Sequence, residues 1–137
     1  MSTTEYKRLI ERLFNEGFND GKLAVVDELF HPDFVDRSTP AQPPGREGVK
    51  DYISLVRTGF PDIYVTIEDL IAEGDRVVVR TIWSGTHLGE YEGMMPTGKP
   101  VTRSMIQIFR IVNGKLYEEW VEGEGLAELV ISSGSKR

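Results

Sequence analysis

Near the start of the chain the apolar residues Tyr6, Leu9, Ile10, Leu13, Phe14 and Phe18 recur at three- and four-residue spacing. One face of an α-helix collects positions so spaced, which predicts an amphipathic first helix ending near Asn19-Asp20-Gly21. Asp20 is placed to cap a short second helix through Leu23, Val26, Leu29 and Phe30, closed by His31-Pro32. Residues 38–45 are rich in proline, which lacks an amide donor and fixes its own backbone angle, so they read as a loop. Val49, Tyr52, Ile53, Val56 and Phe60 then mark a third helical face, ended by Gly59-Phe60-Pro61-Asp62.

From Ile63 the pattern changes to β-branched and aromatic residues. Strands over 63–72 and 76–87 are joined by Gly74-Asp75, and strands over 101–112 and 115–122 by Asn113-Gly114, whose residues both tolerate positive φ. Residues 88–100 between the hairpins are either a lid over a pocket or a plain connection. Helices first and strands afterwards, without alternation, predict an α+β fold with helices on one face of a mainly antiparallel sheet. One domain over residues 1–137 is expected, with 1–5 and 132–137 as flexible ends.

The turns also predict which residues face one another. A two-residue turn at Gly74-Asp75 sets Asp69 opposite Arg80 and Glu68 opposite Thr81. The same reasoning at Asn113-Gly114 sets Gln107 opposite Trp120, Met105 opposite Glu122 and Arg103 opposite Glu124. Met105, Gln107, Phe109, Ile111, Leu116 and Trp120 then share one face, and Ile106, Ile108, Tyr117 and Val121 the other. Both faces are apolar, which points to helices covering one and a second subunit the other, giving a homodimer. The Trp120 face, with its large side chains and the mid-strand amide of Gln107, reads as the cavity side. There Gln107 either meets a ligand or satisfies a backbone group.

Composition narrows the chemistry. The 137 residues suffice for one domain with a real core, and no apolar run approaches the ~20 residues that span a bilayer. The first residues lack the basic and apolar stretches of a secretory signal, making the cytoplasm the default expectation. Without cysteine, and with two histidines, the chain offers no thiolate and few nitrogen ligands, so neither metal nor other cofactor is expected. A net charge of −6 without a basic cluster argues against nucleic acid and for a small, apolar partner.

Six stretches then carry a resemblance. They are Pro44-Gly45-Arg46-Glu47-Gly48-Val49, Phe60-Pro61-Asp62, Glu73-Gly74-Asp75-Arg76-Val77-Val78, Gly85-Thr86-His87-Leu88-Gly89, Pro96-Thr97-Gly98-Lys99, and Gly114-Lys115 leading into Trp120. In this order and spacing the chain resembles the SnoaL-like polyketide (ester) cyclase group of the NTF2-like superfamily. The resemblance implies an NTF2-like cone, a strongly curved sheet and about three N-terminal helices enclosing a pocket, often as a dimer through the outer sheet face. It also implies a carboxylate four residues after the tryptophan, here Glu124, as general acid/base in an intramolecular aldol ring closure. Arg37 and Glu119 stand where relatives carry histidine.

On this reading Glu124 is the catalytic acid/base, with His87 and Gln107 orienting or stabilising and Tyr64 a further donor to an enolate. Phe14, Tyr52, Trp83, Met105 and Trp120 form the substrate wall. Burial against apolar walls would raise the pKa of Glu124, whereas pairing with Arg103 at the rim would lower it. His87, between Gly85 and Gly89, serves equally well as a turn-stabilising residue. Two other functions stand beside the cyclase. One is a non-catalytic module for ligand binding or dimerisation; the other is a dehydratase or isomerase with Asp36 as a second acid or base.

Overall fold

The structure, a computed structural model, describes residues 2–38 and 43–135. Helix α1, Thr3–Arg12, begins at Ser2, whose hydroxyl accepts from the Glu5 amide while the Glu5 carboxylate accepts from the Ser2 amide. Residues 3–5, expected to be flexible, are therefore helical. The helix widens into a π-helical segment, Leu13–Asn19, that carries Phe14 and Phe18 into the core. Asn19 ends it by donating to the Val65 carbonyl and accepting from the Val65 amide at 3.0 and 2.7 Å, which pins the helix to the sheet.

Helix α2, Val25–Leu29, starts after Ala24, not at Asp20, which closes the π-helical segment instead. Helix α3, Gly45–Gly59, buries Val49, Ile53 and Val56 and stops before Pro61. The part of the expected proline-rich loop at 39–42 lies outside the described residues.

The strands are β1, Phe30–Asp36; β2, Tyr64–Glu73; β3, Arg76–Thr86; β4, Pro100–Val112; and β5, Lys115–Glu122. They form one sheet in the order β1-β5-β4-β3-β2, antiparallel except where β1 runs parallel to β5. The helices lie over one face of this sheet, the α+β arrangement expected from the sequence. Two elements have no local signal of their own. Strand β1, which includes Pro32, is an edge strand whose partner lies some 80 residues away, and α4, Leu126–Ser135, carries the chain through much of the expected tail.

The hairpin registers decide what the inner face presents. At the first turn Asp69 faces Arg80 as predicted, joined at 2.7 Å, but a bulge at Glu68 then brings Ile67 opposite Thr81. At the second, Asn113 and Gly114 take positive φ and the pairs Val112–Lys115 and Ile111–Leu116 follow the turn. A bulge at Tyr117 then slips the ladder by one residue, so that Arg110 faces Glu118, Phe109 faces Glu119 and Ile108 faces Trp120. The predicted pairs Gln107–Trp120, Met105–Glu122 and Arg103–Glu124 are thereby replaced. Beyond the bulge every β5 side chain changes face: Glu119 and Val121 turn inward, Glu118 and Trp120 outward.

Candidate active site

Between the inner sheet face and the helices lies a cavity of about 320 Å³. Apolar walls come from Leu13, Phe18, Phe34, Trp83, Met105 and Val121; polar groups come from Asp36, Tyr52, Arg103, Gln107 and Glu119. Glu92, Glu124 and Glu128 stand at its open edge, exposed.

The candidate residues divide between the cavity and its surroundings. Tyr52, Trp83, Met105, Gln107 and Glu124 line it. Phe14 does not: it is buried behind Trp83, ring centroids 6.0 Å apart and nearly perpendicular. Trp120 does not either, because the Tyr117 bulge turns it to the outer face, where the Arg76 guanidinium lies 5.0 Å from its ring centroid. Tyr64 is exposed, outside the cavity. His87 is fully buried away from the cavity, its Nδ1 2.9 Å from Thr97 Oγ1 and its ring against Phe60. It braces the 88–100 connection, which is further held by hydrogen bonds from the Leu88 and Gly89 amides to the Gly59 carbonyl. Gly89 is required there: a Cβ at this position would come within 2.0 Å of the Thr58 carbonyl oxygen.

Among the described residues Gln107 bonds to side chains, not to the backbone. Trp83 Nε1 donates to Thr81 Oγ1 at 2.9 Å, Thr81 Oγ1 donates to Gln107 Oε1 at 3.5 Å, and Gln107 Nε2 donates to Glu119 Oε2 at 2.6 Å. This buried chain of donors turns the amide N–H toward the carboxyl group of Glu119. Glu119 is half-buried and lines the cavity. Desolvation pushes its pKa up to about 8; the parallel pairing of β1 with β5 adds to this by setting Asp36 beside it, and the Gln107 hydrogen bond partly opposes the rise. The burial expected for Glu124 is thus found five residues earlier, at a position the straight register assigns to the outer face.

Arg103 is the one cation of the cavity wall among the described residues, 5% exposed. Its Nη1 donates to the backbone carbonyl of Glu124 and its Nη2 to the Tyr52 hydroxyl, each at 3.1 Å, and its guanidinium lies 4.3 Å from the Trp83 ring centroid. The rim pair with the Glu124 carboxylate, one of the two alternatives left open by the sequence, is therefore not formed; the arginine turns inward. Gly123 permits this, since at φ 148° it passes so close over β4 that a Cβ would lie 3.0 Å from the Ser104 carbonyl oxygen.

A sequence profile described as SnoaL-like polyketide cyclase matches residues 8–128. The nogalonic acid methyl ester cyclase of Streptomyces nogalater is 29% identical over 113 residues, covering 79% of this chain and 84% of that protein. The aklanonic acid methyl ester cyclase AcmA of Streptomyces galilaeus is 29% identical over 115 residues, covering 80% of each chain. Among solved structures, that of TsrD from Streptomyces laurentii superposes with a TM-score of 0.86 at 27% identity, covering 95% of this chain and 97% of that one.

Proposed function

The chain belongs to the SnoaL-like polyketide cyclase family, and from that premise we propose that it closes a ring in a small, largely apolar polyketide-like carbonyl compound, with Glu119 as the acid/base. The observation carrying this reading is a carboxyl group inside an apolar-walled cavity, held by Gln107 and poised by burial near neutral pH. In its ionised form Glu119 takes a proton from a carbon next to a carbonyl. The enolate carbon attacks a second carbonyl of the same molecule, and the alkoxide formed takes the proton back from Glu119. One carboxyl group thus serves both half-steps, and no proton is gained or lost overall. Gln107 is the positioning residue for the carboxyl group.

Glu124, which the family resemblance makes the acid/base, lines the same cavity at its open edge, so the two acids are separable by experiment. The chain is to be incubated with nogalonic and aklanonic acid methyl esters, the compounds named for its relatives, and ring closure followed by chromatography. Glu119→Gln is expected to lower turnover by roughly 10² to 10⁴, the usual worth of general acid–base catalysis; Glu124→Gln is expected to cost far less. The opposite order would return the role to Glu124.

Asp36 beside Glu119 supports a second reading, dehydration or double-bond isomerisation, which needs two acid/base groups. The outer face exposes Tyr64, Ile71 and Ile106, and we propose that a second copy of the chain covers it. No helix among the described residues is long and apolar enough to cross a membrane.

A further inference from the structure

Arg103 plays no part in the proton transfers assigned to Glu119, yet it is one of the most constrained charges in the molecule. Five N–H donors leave a guanidinium. Two go to neutral acceptors, the Tyr52 hydroxyl and the Glu124 carbonyl; the Nε–H is buried without a partner. Among the described residues no carboxylate lies within ion-pair distance of it, whereas Arg12, Arg37, Arg80 and Arg110 all have one. The Trp83 ring face offsets some of the charge but accepts no in-plane hydrogen bond. Burying an unpaired cation is costly, and a structural role on Trp83 and Tyr52 alone could be filled by an uncharged side chain.

Of the other charged groups lining the cavity, Glu92, Glu124 and Glu128 stand exposed at its open edge, where water screens them. Deeper in are Asp36 and Glu119; burial shifts the Glu119 carboxyl toward its neutral form. Arg103 is therefore the one cation lining the cavity among the described residues, with donors to spare, and the Asp36 carboxylate lies beside Glu119, not within ion-pair distance of the guanidinium.

We propose that Arg103 seats an anionic oxygen of the bound compound, so that the substrate class is a carbonyl compound carrying a carboxylate or an ionised enol, held against Trp83 and Tyr52. This rests on the reading that the cavity holds the substrate, but not on Glu119 being the acid/base. The shared chemistry of both sources is a delocalised oxyanion accepting charge-assisted hydrogen bonds from a planar fork.

Equilibrium binding of three small probes tests it: 2-naphthoate for a carboxylate, 2-hydroxy-1,4-naphthoquinone for an enol ionised at neutral pH, and methyl 2-naphthoate as the neutral control. The wild-type protein is expected to bind at least one anion roughly 10- to 100-fold more tightly than the ester, the range for hydrogen bonds to a charged group. Arg103→Gln should abolish that preference while keeping the affinity for the ester; Arg103→Met, of similar bulk and free of polar atoms, does the same if the Gln variant misfolds. Which anion is preferred identifies the source of the oxyanion. Glu119→Gln should keep the preference, so failure of the acid/base assignment leaves this result intact. Equal wild-type affinity for all three probes, or a preference that survives loss of the guanidinium, overturns the proposal.

Discussion

Glu118 and Glu119 are consecutive residues on one strand, and the two faces of the sheet treat them oppositely. Glu118 points outward between Arg110 and Arg37, each joined to a carboxylate oxygen. The Arg110 hydrogen bond, aided by Arg37, holds its pKa below the ordinary carboxylate range despite burial. Glu119 points inward, with a neutral amide as its hydrogen-bond partner and Asp36 as its charged neighbour, and is raised to about 8. The residue type is the same and the sequence context nearly so. What differs is the partner that a face supplies: guanidinium on one side, amide and apolar wall on the other. Acid identity alone therefore says little about chemistry, and the strand's register decides which acid is available for proton transfer.

The contrast can be broken most strongly at Glu119. Beyond the loss of turnover already stated, Glu119→Gln is expected to leave the fold intact, because a neutral amide replaces a carboxyl that is itself protonated at neutral pH; circular dichroism checks this.

Glu118→Gln has the converse profile. Activity is expected to persist, while stability at neutral pH falls by about 1–3 kcal/mol through weakened hydrogen bonds to two guanidinium groups, read from denaturant melts. A depressed carboxylate stabilises the fold above its ordinary pKa and loses that contribution as pH falls through its folded value, so the difference between Glu118→Gln and wild type should close in acid.

For Glu119 the sign is reversed. A raised carboxyl contributes stability that is complete below its ordinary pKa of 4.5 and is lost as pH rises to about 8. Thermal melts across that window should show the wild type losing ground to Glu119→Gln, by no more than ~1.4 kcal/mol per pH unit. A smaller effect sharpens the cause. Asp36→Asn removes the like charge beside Glu119 and should move the upper end of that loss below about 8, whereas Gln107→Leu removes an opposing hydrogen bond and should move it higher.

Most of the scaffold that holds these acids was legible in the sequence, because it rests on local signals. The two turn dipeptides locate both hairpins within a residue or two, and the stripe from Tyr6 to Phe18 and the face from Val49 to Phe60 locate the first helical stretch and α3, whose starts lie three and four residues earlier. The Asp69–Arg80 pair follows because it lies between the turn and the first bulge. What escaped rests on distant partners. Strand β1 exists through pairing with β5, and it alone brings Asp36 to Glu119.

No glycine or proline marks the Tyr117 bulge in its own strand. It is favoured by groups that reach it from elsewhere: Arg110 lies over the Tyr117 ring, and Arg110 and Arg37 draw Glu118 outward. One unpaired residue was enough to exchange Trp120 for Glu119 on the cavity wall. The doublet of acids in a strand otherwise ready for burial was the available hint, since two neighbouring residues of a strand cannot share a face.

The central claim is that these two neighbours are separated in acidity by the face they occupy. Nuclear magnetic resonance titration of the side-chain carboxyl carbons, with Glu118→Gln and Glu119→Gln used to assign the signals, measures this directly. The account predicts Glu119 titrating near pH 8 and Glu118 below the ordinary carboxylate range. Coincident titration of both near pH 4.5 would contradict it.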